Sequence, residues 1–292
     1  MLTQKKLPPT FSFEFFPPKS EESALKLSEV RDQLALLKPR FFSVTFGAGG
    51  STRDRTFETV VEIQQRTGLS AAPHLSCIGA TRTEIGHMLD NYITQGVRHI
   101  VALRGDMPSG MGQSGELHYA NELVEFIRSH SGDHFHIEVA AYPEFHPEAP
   151  SANADLENFR RKVQSGADSA ITQYFFNADA YYRFVDTCEK MGLAIPIVPG
   201  IMPITNYVPL ARFSDRCGAE IPRWIRKRLE AYQDDLESLR AFGLEVTTEL
   251  CAGLLAAGAP GLHFYTMNQA GPTMAIWNNL GLNNLPALQE SN

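Results

Sequence analysis

The chain has 292 residues, 43% of them hydrophobic, and a formal net charge of -7, which is enough apolar content to bury a substantial core in one domain. A negative balance excludes a polyanion as the main partner, because nucleic-acid binders gather excess Lys and Arg on one face. No run of about 18 apolar residues occurs and none follows Lys5 and Lys6, so neither a membrane span nor a signal peptide is expected, and the location expected is cytoplasmic.

Eight short segments rich in β-branched, aromatic and apolar residues recur along the chain. They are FSFEFF (11–16), FFSVTF (41–46), AAPHLSCI (71–78), HIVALRGD (99–106), HIEVAAYP (136–143), SAITQYFF (169–176), IPIVPGIM (195–202) and GLHFYTMN (261–268). Stretches such as ESALKLSEVRDQLALL, with apolar residues three and four apart, lie between them, so strands and helices alternate. Alternation also permits an open doubly wound sheet, but eight evenly spread units favour a closed (β/α)8 TIM barrel, a single catalytic domain over 1–292. The long interval before the last strand, PRWIRKRLEAYQDDLESLRAFGLEVTTELCAGLLAAG, is predicted to hold two helices. In its basic run from Arg223 to Arg228, Trp224, Ile225 and Leu229 are expected on the packed side. Cys77, Cys188, Cys217 and Cys251 form no C-x-x-C pair and are expected to be reduced.

Catalytic groups of such a barrel gather where strands end, over its C-terminal mouth. Glu14 falls late in the first segment, Thr45 in the second, His74 within the third, Arg104 and Asp106 at the end of the fourth, Tyr142 of the fifth, and Gln173 in the sixth. Glu14 stands among four phenylalanines. Desolvation would raise its pKa and make it a proton donor, unless an Arg or Lys pairs with it. Arg104 and Asp106 share a strand face across Gly105, fitting either a phosphate and a polar ring or a local salt bridge. Gly110, Gly112 and Gly115 spell G-x-G-x-x-G, but the first glycine does not follow a strand directly, so the run is read as a loop. A helix starting near Ser151 stacks Asp155, Asn158 and either Arg161 or Lys162 at three- and four-residue spacing. That face could grip a ribose and a diphosphate, or it could be a solvated helix with internal ion pairs. His74, with Glu14, Asp106 and His146, raises a metal reading, but no H-x-H or H-E-x-x-H spacing supports it, and no metal is expected.

Taken together, FSFEFFPPK, SVTFGAGGS, HLSC, LRGD, AYPEFHPEA with ADLENFRRKVQSGAD, ITQYFF, VPGIMPI and HFYTMN resemble the successive strand-end motifs of methylenetetrahydrofolate reductases, in order over nearly the whole chain. The resemblance is to the short bacterial form. It implies FAD-dependent reduction of 5,10-methylenetetrahydrofolate to 5-methyltetrahydrofolate by NADH or NADPH in a ping-pong cycle, supplying methyl groups for methionine synthesis, in a homo-oligomer. Glu14 would be the general acid and Asp106 the carboxylate between flavin and folate. FAD contacts would come from Thr45, Ala48, His74, Arg104, Gly105, Asp106, Tyr119, Ala120, Tyr142, His146, Asp155, Asn158, Arg161 and Lys162. Substrate contacts would come from Gln173, Phe213, Asp106 and Thr45. Gln269 and Pro209 depart from the family pattern, where a basic and a polar residue respectively are common. The residues alone leave two competing functions, a metal-dependent barrel lyase or hydrolase built on Glu14, His74 and Asp106, and a non-catalytic flavin- or folate-binding barrel subunit.

Overall fold

The computed structural model describes residues 1–46, 50–105, 115–232 and 234–284; the candidates Ala48, Asp106, Gly110 and Gly112 lie outside them. The strands are β1 (Thr10–Phe15), β2 (Phe41–Val44), β3 (Ser70–Ser76), β4 (His99–Leu103), β5 (His136–Ala141), β6 (Ser169–Thr172), β7 (Ile197–Val198), β8 (Gly200–Ile201) and β9 (Gly261–Tyr265). All pair in parallel, in the order β7-β6-β5-β4-β3-β2-β1-β9-β8. This is the expected TIM-barrel-like fold, with nine strand pieces instead of eight strands because the seventh run is broken at Pro199. Proline has no N–H to give a ladder. The piece before it pairs with β6 and the piece after it with β9, while the Pro199 carbonyl accepts from His263 N at 3.0 Å. One interrupted strand thus joins the two ends of the sheet.

The helices are α1 (Glu21–Ala35), α2 (Gly50–Thr67), α3 (Arg82–Thr94), α4 (Ala120–Ser131), α5 (Ala152–Gln164), α6 (Ala178–Lys190), α7 (Tyr207–Cys217), α8 (Arg223–Tyr232), α9 (Leu236–Ala257) and α10 (Ala270–Asn279). Side-chain caps fix several starts: Ser20 and Thr81 form capping boxes with Ser23 and Glu84, and Ser151 Oγ accepts from Ala154 N. The two helices expected before the last strand are α8 and α9, and the helix expected near Ser151 is α5. In α8, Ile225 and Leu229 are buried as expected, but Trp224 is 59% exposed. Its ring only meets the edge of Phe242, at 6.1 Å between centroids.

Strand alternation divides the side chains between two layers. Phe11, Phe13 and Phe15 point outwards into the main core beneath the helices, where Trp277 meets Phe11 edge-on at 5.0 Å. Ser12 and Glu14 are left for the barrel interior, whose apolar part is Phe41, Ala72, Val101 and Ile171. A separate cluster of Tyr174, Phe176, Ile204, Leu210, Ile225 and Leu229 seats α7, α8 and α9 over the later strands.

The strands end sooner than their apolar runs. Thr45, Arg104, Gly105, Tyr142 and Gln173 therefore lie in the loops above β2, β4, β5 and β6 and not within the strands. Single backbone bonds still hold these loops to the rim: Thr45 N donates to Phe15 O at 2.9 Å, Ile78 N to Arg104 O at 3.0 Å, and Gln173 N to Ala141 O at 2.8 Å. Closure itself depends on a missing side chain. A Cβ on Gly200 would sit 2.2 Å from Thr172 O and 2.6 Å from the Tyr265 ring. Gly200→Ala should lower stability by about 1–3 kcal/mol, as overpacking against backbone does. The urea midpoint measures this, and a change under about 0.5 kcal/mol would mean that the seam yields.

Candidate active site

Late in β1, Glu14 is 7% exposed and faces two imidazoles from other strands. Its Oε2 lies 3.3 Å from His74 Nε2 on β3 and 3.7 Å from His263 Nε2 on β9. Ser12 Oγ fixes the second ring by a 2.7 Å contact with His263 Nδ1. Both Nε2 atoms are buried, and neither has a hydrogen-bond partner. Burial alone pushes the Glu14 carboxyl up, but His263 and His74 outweigh it and hold the group at about 2, below the usual 4.5. The approach of the two ring nitrogens favours the ionised carboxylate, first through their hydrogen-bonding capacity and then through charge, although neither contact closes into a well-formed hydrogen bond. The sequence reading of a raised pKa is corrected, because it saw the phenylalanines, which point outwards, and not the histidines, which share the interior. Among the described residues no Arg or Lys pairs with it either.

Tyr265, at the end of β9, completes the floor. Its hydroxyl donates to Thr172 O at 2.7 Å across the closure, and its ring meets His263 edge-on at 5.2 Å. Beside it, Tyr174 bonds Ser214 at 2.8 Å and stacks on Phe213 of α7 at 5.9 Å, leaving Phe213 41% exposed. A cleft between the β5 and β6 loops and the end of α7 brings Tyr142, Gln173 and Tyr174 to one wall. Phe145 in the same cleft holds φ +83°, a strained backbone for a non-glycine residue.

On the β4–β5 side, Arg104 Nη2 pairs with Glu148 at 2.6 Å, so its salt bridge runs to the loop after β5. Gly105 follows with φ +90°, where a Cβ would strike Ser76 Oγ at 1.9 Å. Only glycine lets this loop lie so close on the end of β3. Cys77 Sγ lies 3.5 Å from Arg104 O and 3.8 Å from Tyr119 O, which brings Tyr119 and Ala120, at the start of α4, to the same rim. The four cysteines are free thiols, and burial pushes Cys77 up to about 11.

The helix face expected on α5 divides in two. Asn158 and Arg161 are exposed and bonded to each other at 3.2 Å, whereas Asp155 and Lys162 turn inwards. Asp155 accepts from His146 N at 3.0 Å, which shapes the loop that places the His146 ring edge-on to Tyr142 at 4.7 Å. Lys162 Nζ donates to Ala140 O at 2.5 Å and lies 5.9 Å from the Tyr142 ring centre. Among the described residues no carboxylate stands within ion-pairing distance of it. Lys162 is only partly exposed, and burial lowers its pKa to about 8 against only partial relief from Asp155.

Sequence reasoning therefore located Glu14, His74, Tyr142, Lys162 and Gln173 around one mouth. It passed over His263, Tyr265 and Ser12, although a histidine inside the apolar run GLHFY is the same kind of signal as His74 inside AAPHLSCI.

The sequence profile of the methylenetetrahydrofolate reductase family matches residues 2–281. The chain is 45% identical over 271 residues to the 5,10-methylenetetrahydrofolate reductase of Salmonella typhimurium, covering 93% of this chain and 90% of that one. It is 39% identical over 285 residues to methylenetetrahydrofolate reductase (NADH) 1 of Arabidopsis thaliana, covering 93% of this chain but 48% of the plant protein. Among solved structures, a Clostridium thermocellum protein that binds two copies of 5-methyl-5,6,7,8-tetrahydrofolic acid shares the fold. Its TM-score is 0.65 at 15% identity, covering 96% of this chain and 95% of that one.

The enclosed ammonium makes a prediction about stability. Folded Lys162 titrates near 8 and the unfolded residue near 10.5, so between those values the unfolded chain binds more protons and stability rises with pH. Lys162→Met should thus be more stable than the parent by about 1–3 kcal/mol at pH 7. Denaturation curves at several pH values should show the gap closing between pH 8 and 10.5, and a constant gap would contradict the enclosed charge.

Proposed function

This chain belongs to the methylenetetrahydrofolate reductase family, whose reaction turns 5,10-methylenetetrahydrofolate into 5-methyltetrahydrofolate, and we propose that it performs this reduction with bound FAD and with NADH or NADPH as alternating occupants of one cavity. The observation that carries the reading is the Glu14 carboxylate, buried at the mouth between two imidazole nitrogens that satisfy neither it nor each other by hydrogen bonds. Buried polar groups left in this state are best explained by a reactant that completes them.

The residues fit a flavin dinucleotide. Lys162 holds an enclosed positive charge with no carboxylate paired to it among the described residues, and a diphosphate would offset that cost. Tyr142, His146, Arg104 and Gly105 stand on the same rim, and Thr45, Tyr119 and Ala120 border it. Arg161 and Asn158 lie outermost, where they would meet the exposed end of the dinucleotide. When bound, the flavin supplies the hydride transfer, taking electrons from the nicotinamide and giving them to the folate.

The remaining chemistry belongs to the chain. The methylene bridge accepts hydride only after its five-membered ring opens, which requires a proton on N10. Glu14 is ionised in the site as it stands, and with ring nitrogens of His74 and His263 at 3.3 and 3.7 Å it would act as a relay, taking up a proton and passing it to N10. Asp106, outside the described residues, is proposed to favour the positive charge that grows on the pterin, and Gln173 and Phe213 to hold the pterin or nicotinamide plane against the cleft.

Three measurements test this. Mass spectrometry of the released cofactor should find FAD, one per chain; FMN, or no flavin after reconstitution, would refute the cofactor. Glu14→Gln keeps size and removes the carboxylate through which the proton would pass. Reduction of methylenetetrahydrofolate should then fall by about a hundred- to ten-thousand-fold, while nicotinamide oxidation with a quinone acceptor stays nearly intact. Equal loss in both half-reactions would make Glu14 a structural residue, and no loss in either would assign the proton to another group. Asp106→Asn should keep FAD and slow only the folate half-reaction, since a neutral amide cannot offset the charge on the pterin; unchanged folate turnover would remove Asp106 from the mechanism.

A further inference from the structure

The opposite end of the barrel holds a second cluster that the proposed reaction does not use. His99 and His136 are the first residues of β4 and β5, and Glu138 follows two places along β5. Register pairs His99 with His136 and Glu138 with Ser169 at the start of β6. Glu138 Oε1 lies 3.2 Å from His99 Nε2 and 3.6 Å from His136 Nε2, and one donor atom from each of the three residues falls within 4.8 Å of the others.

We propose that His99, His136 and Glu138 form a binding site for a divalent transition cation of the zinc type, which ties β4 to β5 at the N-terminal end of the barrel. The geometry carries this. Donors around a tetrahedral zinc bound at about 2.0–2.1 Å stand about 3.3 Å apart, and two of the three spacings here are 3.2 and 3.6 Å. Two imidazoles and one carboxylate are also a recurrent donor set for this ion.

A second observation is independent of those spacings. Glu138 is 3% exposed, and its other oxygen, Oε2, is buried with no hydrogen-bond partner. A buried carboxylate with an idle oxygen is costly unless a cation takes it. Access is open from one side, since the His136 side chain is 47% exposed and the outer face can admit the ion and a water as fourth ligand. Asp168, which Arg128 holds at 2.6 Å, stands 4.0 Å from His136 Nδ1, near enough to add negative charge beside the site but not to hydrogen-bond the ring. The ion must displace two contacts, that of His136 Nε2 with Ser169 Oγ at 2.6 Å and that of His99 Nε2 with Glu138 Oε1 at 3.2 Å. A cation here joins two neighbouring strands and stands apart from Glu14 and the mouth, so its effect is on stability and not on turnover.

The test uses the purified flavoprotein, stripped with a chelator and titrated with zinc by calorimetry, then with cobalt(II) for its visible spectrum. One zinc per chain, a tetrahedral cobalt(II) band and a zinc-dependent rise in the thermal midpoint are expected. Both Glu138→Gln and His136→Asn should weaken zinc at least about ten-fold and remove the rise, with reductase activity unchanged. His136 is half-exposed, so its variant keeps the test valid if replacing Glu138 impairs folding. Failure to bind zinc stoichiometrically would mean that the cluster is only a carboxylate neutralised by protonated imidazole, and that would overturn the proposal. Binding that survives both substitutions would place the ion on other histidines and would overturn it equally.

Discussion

A single residue without an N–H decides how the barrel closes. Pro199 splits the seventh strand, so that Ile197–Val198 reads the ladder of β6 and Gly200–Ile201 that of β9, and its carbonyl is left to accept from His263 N. The missing Cβ of Gly200 then gives Tyr265 room to cross the seam and bond Thr172 O. This sets the height of β9 in the barrel, and with it the position of His263 beside Glu14. The central polar group of the mouth is therefore a consequence of how two sheet edges meet.

The barrel has polar interior groups at both ends, and they are satisfied differently. At the C-terminal end Glu14 faces two Nε2 atoms that have no hydrogen-bond partner. At the N-terminal end Glu138 stands close to two imidazoles through one oxygen and leaves the other idle. Between them lies the apolar layer of Phe41, Ala72, Val101 and Ile171. Buried charges of like sign are thus kept apart by a low-dielectric plug, and each must be neutralised locally.

Lys162 shows how the mouth holds a buried charge at a cost. The backbone oxygen of Ala140 and two aromatic rings hold its ammonium inside, with Asp155 only a partial counterweight. Asp155 is itself engaged in shaping the loop that carries His146. A helix face that looks uniform by spacing is divided by the curvature of the barrel into an inner pair, Asp155 and Lys162, and an outer pair, Asn158 and Arg161.

The sequence by itself determined the alternation of strands and helices, because hydrophobic period and capping residues are local, and it placed polar groups such as Glu14 and His74 within strands by the same logic. The collinear motifs were equally legible, and through them the family. What local pattern could not contain is which strand ends face one another. The phenylalanines beside Glu14 suggested a raised pKa, yet they point to the helices, and the groups that set its charge come from β3 and β9, as far along the chain as His263. The cluster of His99 and Glu138 was invisible for the same reason: its members lie 39 residues apart and meet only through strand pairing. Trp224 fits a buried helical stripe by spacing but is left exposed, because α8 packs through Ile225, Leu229 and Tyr232. Period and composition fix what each segment is, and only closure of the barrel fixes what its side chains meet.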